Sequence, residues 1–152
     1  YGVLYPLQSF RRELEDQPEF PLLIDANSPG SLEELKKMAA GLSKTILPAG
    51  NEMRLKYHLA AVLAGNFSNH LYSLTESWCR REEIDFGLLQ PLIRETAGRL
   101  LNELPENLQT GPAIRNDTET LEKHRELLQK YPELSQLYEV MTRSIQQFHH
   151  IQ

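Results

Sequence analysis

The chain has 152 residues, of which 40% are apolar and 24% are charged, and its formal net charge is −5. This length fits one domain, or one domain with part of another, and the apolar content is enough for a sizeable core. The acidic balance, without any block of Lys or Arg, argues against nucleic acid as a partner. No run of about 20 apolar residues exists that could form a membrane span.

The single cysteine, Cys79, cannot form an internal disulfide. This favours a reducing compartment, and we expect a cytoplasmic protein. The chain begins with Tyr1 and no signal-peptide pattern follows it. We expect it to be the later part of a longer polypeptide, with a processed or trimmed start as the alternative.

Residues 1–50 contain a strand, a helix and a second strand. The apolar run Phe20–Asp25 is bounded by turn signals and predicts the first strand. Ser31 and Glu34 have the spacing of a capping box, with Ser31 as N-cap of a helix that ends near Ala40 at Gly41. Lys44–Pro48 predicts the second strand. This is the length of one βαβ unit, which needs a larger sheet to bury both of its faces.

From Asn51 onward the apolar periodicity is helical and predicts a mainly α protein. Four amphipathic segments follow one another, and Pro91 should kink the second or mark its true start. Their apolar positions predict the core of a helical bundle, and small residues on the first helix would also suit a dimer seam. The segments are Glu52–Arg80, Asp85–Glu103, Asp117–Lys130 and Pro132–Phe148.

Polar side chains are unusually frequent along the first of these helices. At about 100° per residue, His58, Gly65 and Asn69 project within about 40° of one another. Asn66 and His70, four residues apart, form a pair on the adjoining face. Small residues between them would let a ligand approach. The alternative is a tight helix–helix seam whose polar groups bond to neighbouring backbone. These residues have no metal-ligand pattern, and we predict no metal site.

A second candidate lies in the connector Thr110–Asp117. Its Gly-Pro step predicts a turn, and Asp117 predicts the N-cap of the following helix. Arg115 precedes that helix, where a guanidinium can bind a carboxylate or a phosphate. The alternative is a capped loop whose Arg115 pairs with Asp117 or a neighbouring Glu.

Several motifs of known chemistry do not occur in the sequence. It contains no Gly-x-Ser-x-Gly elbow and no phosphate-binding Gly-x-x-x-x-Gly-Lys loop. None of the eight glycines forms a Gly-x-Gly-x-x-Gly dinucleotide-binding fingerprint.

Four segments together resemble a family of Rossmann-like oxidoreductases whose helical C-terminal domain is a domain of unknown function. The segments are Gly2–Gln8, Tyr57–Leu71, Pro91–Thr96 and Thr110–Asp117 followed by His124. That family is similar to pyrroline-5-carboxylate reductase and the 6-phosphogluconate dehydrogenase superfamily. Those enzymes pair a Rossmann domain with a helical domain that dimerises and closes the substrate cleft over the nicotinamide.

The resemblance implies that residues 1–50 are the end of a Rossmann domain and that residues 51–152 form an all-helical substrate-binding and dimerisation domain. The glycine fingerprint and the NADP or NAD site would then lie upstream of Tyr1. The chain would be part of an oxidoreductase acting on a small carbonyl or imine, with a homodimer as the assembly. The alternative function is a non-catalytic helical interaction module.

The resemblance also implies site residues. His58 is the candidate acid–base catalyst, since it exchanges a proton near neutral pH. Lys56 is an alternative, but it lies about 160° round the helix from His58. Substrate-binding roles are implied for the remaining polar residues of the two segments, namely Asn66, Asn69, His70, Thr110, Arg115 and Asp117.

Overall fold

The computed structural model describes residues 1–10 and 19–151. It is mainly helical with a small sheet near the N-terminus, as predicted. The chain forms two compact units, Tyr1–Ser73 and Leu74–Gln152. The domain boundary between residues 50 and 51 stays a prediction.

The first unit contains a three-stranded sheet with β1 at Gly2–Pro6, β2 at Leu22–Ala26 and β3 at Ile46–Pro48. Helix α1, Pro29–Ala40, connects β2 to β3, and these two strands are parallel. The predicted strand–helix–strand order is therefore confirmed. Strand β1 was not predicted; it pairs antiparallel with β2.

The N-cap of α1 corrects the sequence prediction. Ser28, not Ser31, is the cap, and its hydroxyl oxygen accepts a hydrogen bond from the Ser31 N–H at 3.2 Å. Pro29 occupies the first helical position, where its fixed φ suits the helix and its missing N–H is not needed. The helix therefore begins three residues earlier than the capping-box spacing indicated.

The central strand β2 is the buried part of the sheet. On one face Leu22 and Ile24 pack against Ala39 of α1. Leu23 is also fully buried, and it points to the opposite face because side chains alternate along a strand. Burying each of these side chains stabilises the fold by about 1.5–3 kcal/mol.

The long predicted helix is present but is interrupted in its middle. Helix α2 covers Asn51–Ala61, a π-helical segment covers Val62–Phe67, and helix α3 covers Ser68–Arg81. Its overall bounds agree with the prediction. The π-helical segment was not predicted, because its wider turn leaves an apolar spacing that an α-helix also allows.

The second unit contains the end of α3 and three further α-helices: α4 at Gln90–Arg99, α5 at Thr118–Leu128 and α6 at Pro132–Phe148. Asp85 caps a 3-10 turn, Phe86–Leu89, rather than α4 itself. Pro91 lies in the first turn of α4, so it marks the start of this helix and does not kink it. The helix ends at Arg99, short of the predicted Glu103.

Helices α5 and α6 form an antiparallel hairpin joined by polar pairs. Arg125 Nε donates to Glu139 Oε1 at 2.7 Å, and His124 Nδ1 lies 2.8 Å from the Tyr138 hydroxyl. Leu121 and Leu128 of α5 are buried, as is the thiol of Cys79 on α3.

Many apolar residues predicted as core are instead exposed. Leu55 is 68% exposed, Leu92 is 61% exposed and Leu127 is 55% exposed. The amphipathic pattern identified their helix faces correctly, but a pattern does not show what covers a face. Across the described part of the chain, no helix has both the length and the apolarity that a bilayer crossing requires.

Candidate functional site

Arg54 fixes the start of α2 against the carboxyl ends of the two parallel strands. Its Nη1 donates to Asp25 Oδ2 at 2.9 Å and to the Ala49 carbonyl at 2.6 Å, and its Nη2 donates to Asn51 Oδ1. The Arg54 side chain is only 12% exposed. A planar guanidinium with several fixed donors suits such a junction. It sets the direction in which α2 crosses the sheet.

His58, one turn further along α2, contacts the sheet through Tyr5. The Tyr5 hydroxyl lies 2.8 Å from His58 Nδ1, and the two rings are nearly perpendicular. In the strand register Tyr5 lies opposite Leu23, whereas Asp25 lies opposite Val3. Opposed residues share a face of the sheet, so Tyr5 and Asp25 lie on the face that α2 crosses.

This contact determines what His58 can do chemically. A Tyr5 hydroxyl held at Nδ1 fixes the imidazole orientation and leaves Nε2 as the free ring nitrogen. His58 is exposed, so Nε2 is accessible to a bound molecule. Sequence reasoning missed Tyr5 because 53 residues separate it from His58. The one available signal was its place in the segment Gly2–Gln8.

The other polar residues of the long helix lie in or next to the π-helical segment. Asn66 belongs to that segment, while Asn69 and His70 are in the first turn of α3; all three are exposed. The wider turn shifts residues beyond it relative to His58. The predicted 40° stripe of His58, Gly65 and Asn69 therefore assumed the wrong helix geometry. π-helical segments are frequent at functional sites.

The connector Thr110–Asp117 contains two residues with left-handed backbone, Gly111 at φ +105° and Asn116 at φ +51°. Asp117 caps α5 as predicted: its carboxylate accepts from the Thr120 N–H at 3.1 Å and from the Thr120 hydroxyl at 2.9 Å. The Thr120 N–H, then its hydroxyl and the nearby Arg115, hold the pKa of Asp117 below its ordinary value.

Arg115 pairs with Asp117, with 3.9 Å between Nη2 and Oδ2. This pairing matches the alternative predicted from the sequence, a capped loop in which Arg115 pairs with Asp117. The distance is too long for a hydrogen bond, and Arg115 is 62% exposed. Such an exposed pair contributes little to stability. The N–H donors of the Arg115 guanidinium are therefore available to an anion.

The predicted site residues fall into two groups. His58, Asn66, Asn69 and His70 belong to the first unit, and Thr110, Arg115 and Asp117 belong to the second. Arg115 and Asp117 are brought together, and His58 is brought to Tyr5. A single cleft formed by both groups stays a prediction. Within the ranges 1–10 and 19–151, no three His, Cys, Asp or Glu side chains cluster closely enough to hold a metal ion.

Comparison with known proteins identifies the family. Residues 20–145 match the family described as a domain of unknown function, DUF2520. A solved structure named as a putative NADP oxidoreductase from Bacteroides fragilis is similar, with 38% identity, a TM-score of 0.90 and 99% of this chain covered. A protein from Thermotoga maritima is similar at 25% identity and a TM-score of 0.77 over 98% of the chain.

The chain spans 57% of the length of the Bacteroides fragilis protein and 61% of the length of the Thermotoga maritima protein. Comparison with curated proteins found no match. The family match covers far more than half of the chain, so the chain belongs to the DUF2520 family.

Proposed function

We propose that this chain is the substrate-binding and dimer-forming part of an NADP- or NAD-dependent oxidoreductase that acts on a small carbonyl or imine. The observation that carries the proposal is the likeness to the Bacteroides fragilis protein named as a putative NADP oxidoreductase, which extends over 99% of the chain. A relation to pyrroline-5-carboxylate reductase and the 6-phosphogluconate dehydrogenase superfamily is part of the same proposal.

The residues of this chain fit a substrate role better than a nucleotide-binding one. No glycine fingerprint occurs in the sequence. In this proposal a part of the enzyme that these 152 residues do not include holds the nicotinamide, which supplies the hydride when bound. Arg115, exposed and only loosely paired, is the residue here that would orient an anionic group of the substrate or cofactor.

His58 is the proposed proton donor. Reduction of a C=O or C=N bond at carbon leaves an electron pair on the oxygen or nitrogen, and that atom takes a proton. The imidazolium form of His58 delivers it from Nε2, and the neutral imidazole left behind regains a proton from solvent. Tyr5 is a positioning residue, because its hydroxyl holds Nδ1 at 2.8 Å. Asn66, Asn69, His70, Thr110 and Asp117 are the proposed substrate contacts around these groups.

The test uses the complete protein that contains this chain, assayed with NADPH and NADH against small ketones and cyclic imines. His58→Gln should lower kcat by about 100-fold or more, the usual contribution of a positioned acid–base group. Tyr5→Phe should lower kcat less, since the ring loses its orientation but keeps its acid–base group. Arg115→Ala should raise KM with little change in kcat, because binding is lost uniformly.

Lys56→Gln is the matched control. Lys56 lies on the same helix, is exposed and pairs with Glu52 at 2.5 Å, so its loss should leave kcat unchanged. If Lys56→Gln abolishes turnover and His58→Gln does not, the roles are reversed. If the folded protein binds neither nucleotide, the non-catalytic interaction module becomes the better interpretation.

A homodimer through the first unit is the proposed assembly. Leu55, Leu59, Leu63 and Phe67 follow one another at four-residue intervals and are each 54–68% exposed. At about 100° per residue such a series drifts round an α-helix by about 40° per step. The wider turn of the π-helical segment counters that drift and keeps the last two residues near the line of the first two. A continuous exposed apolar stripe of this kind suits a self-complementary interface.

A further inference from the structure

Helix α2 has no deeply buried anchor on the sheet. None of its eleven residues, all of which the structure describes, is buried. Among the described residues, the polar side-chain contacts between this helix and the sheet come from Arg54 and His58. The position of α2 over the sheet therefore depends strongly on two hydrogen-bonded contacts, which are directional where apolar packing is not.

The spacing of these two residues matches the spacing of their partners. Arg54 and His58 are four residues apart, so on an α-helix they point about 40° apart and lie about 6 Å from each other along the axis. Tyr5 lies opposite Leu23 in the register of β1 and β2, and Asp25 is two residues further along β2. Such diagonal neighbours on one face of an antiparallel pair are about 7–8 Å apart. One turn of α2 therefore spans the distance between the two partners on the sheet.

The contact made by Arg54 is the stronger of the two. Its guanidinium donates to the Asp25 carboxylate at 2.9 Å, to the Ala49 carbonyl at 2.6 Å and to the Asn51 amide oxygen. The Arg54 side chain is mostly buried, whereas His58 is exposed. Hydrogen bonds to an ionised acceptor are about twice as strong as neutral ones. The Arg54 contact therefore sets the height and rotation of α2, and the contact one turn further along depends on it.

The shape of the guanidinium, and not only its charge, fits this junction. One terminal nitrogen of Arg54 bonds to two acceptors and the other bonds to a third, and the planar group holds these directions fixed. A lysine ammonium keeps the charge but has a single nitrogen on a flexible stem. Arg54→Lys would therefore keep an ion pair with Asp25 while it releases the rotation of the helix.

We propose that Arg54 is a positioning residue for His58: it fixes α2 on the sheet so that His58 Nδ1 meets the Tyr5 hydroxyl and Nε2 stays free. The consequence for catalysis rests on the proposed function, in which Nε2 delivers the proton. The contact between His58 and Tyr5 is present in the chain without substrate, so it can be measured separately from turnover.

The first measurement is the ¹⁵N resonance of His58 Nδ1 in the whole chain at one alkaline pH, assigned by its absence from His58→Gln. Arg54→Lys should shift this resonance towards its position in Tyr5→Phe, because both variants disrupt the same hydrogen bond. The double variant should show no further shift, since the two changes act on one contact. Arg80→Lys is the matched control: Arg80 pairs with Glu76 at 2.9 Å within α3, so its replacement should leave the resonance unchanged.

A resonance that Arg54→Lys leaves in place, or shifts from the two variants that simply add, would overturn the proposal. Asp25→Asn is the milder variant, because it leaves the bonds from Arg54 to Ala49 and Asn51, and it should move the resonance in the same direction by a smaller amount. Loss of the folded amide spectrum in both variants would show that Arg54 holds the whole unit together rather than the position of α2, and this would also overturn the proposal.

Turnover of the complete protein separates this role of Arg54 from the proposed function. Arg54→Lys should lower kcat about as much as Tyr5→Phe does and leave KM unchanged, because ground-state binding is untouched. If the resonance shifts and kcat does not change, Arg54 positions His58 but His58 is not the proton donor. If His58→Gln lowers kcat while Arg54→Lys changes neither the resonance nor kcat, the proposed function stands and the role of Arg54 is wrong.

Discussion

At the start of α5, the carboxylate of Asp117 accepts hydrogen bonds from both the N–H and the hydroxyl of Thr120. These bonds favour the ionised form, so the pKa in the folded protein is lower than the ordinary value of 3.8. Well above pH 3.8 the group is ionised in both states and its stabilisation is complete. As the pH falls through the folded pKa, the carboxylate is protonated and this stabilisation is lost.

We therefore expect Asp117→Asn to reduce the acid sensitivity of the second unit while retaining a cap at neutral pH, because Asn also caps helices well. Asp117→Ala should lower the free energy of unfolding at neutral pH and also reduce the acid sensitivity. Urea unfolding of the three proteins at pH 7 and at pH 3 measures both effects. An unchanged pH dependence in both variants would contradict the role assigned to this carboxylate.

The cap and the catalytic candidate differ in how far sequence alone could identify them. The Asp117 cap involves residues only three apart, and local chemistry predicts such contacts. Tyr5 meets His58 only because β1 pairs with β2 and α2 crosses the same face of the sheet. No local sequence pattern contains that information, so Tyr5 can be identified as the partner of His58 only from the three-dimensional structure.

The π-helical segment Val62–Phe67 is the feature of the long helix with the clearest consequence for function. It contains Gly65, where an added Cβ would meet nothing within 4 Å. Gly in a helix interior is less stable than Ala by roughly 0.5–1 kcal/mol. Gly65→Ala should therefore stabilise the first unit by about that amount, as measured by its urea midpoint.

Gly98→Ala is the comparison for this change, because Gly98 lies in α4 and also has open space around its Cβ position. Both variants should be more stable than the parent chain. If a substrate approaches the helix closely at Gly65, the added methyl group obstructs it, and KM should rise in Gly65→Ala but not in Gly98→Ala. Equal KM values for all three proteins would exclude close approach at this residue.

The elements show the strengths and limits of periodicity. The apolar pattern predicted β2, α1, β3 and the four helical segments, although α4 covers only Gln90–Arg99 of the predicted Asp85–Glu103. It did not identify β1, and it placed the α1 cap at Ser31, because Pro29 at the first helical position competes with a capping-box signal. It also could not separate a π-helical turn from an α-helical one, since both accommodate four-residue apolar spacing.

For the whole molecule, the exposed apolar stripe of α2 and the π-helical segment is the surface proposed as the dimer interface. Leu63→Glu would place a charge in the proposed dimer interface and should convert a dimer to a monomer, because burying an unpaired carboxylate is costly. Sedimentation equilibrium measures the change. Leu101→Glu, at a residue 85% exposed in the second unit, should leave the assembly unchanged.

A chain that is monomeric before any substitution would contradict the proposed homodimer. The small residues of this helix already suggested a dimer seam from the sequence, but a sequence identifies apolar helix faces without showing which of them the chain itself covers. The exposed fractions of Leu55, Leu59, Leu63 and Phe67 provide that information.

The buried thiol on α3 can serve as a probe of how often the structure around it opens. Cys79 is the only cysteine and is 1% exposed, so a thiol reagent reaches it only when the surrounding helices separate. When reclosing is faster than labelling, the labelling rate under native conditions reports the equilibrium population of the open form. Because Cys79 lies in the second unit, that rate reports the opening of the structure around α3 in this unit.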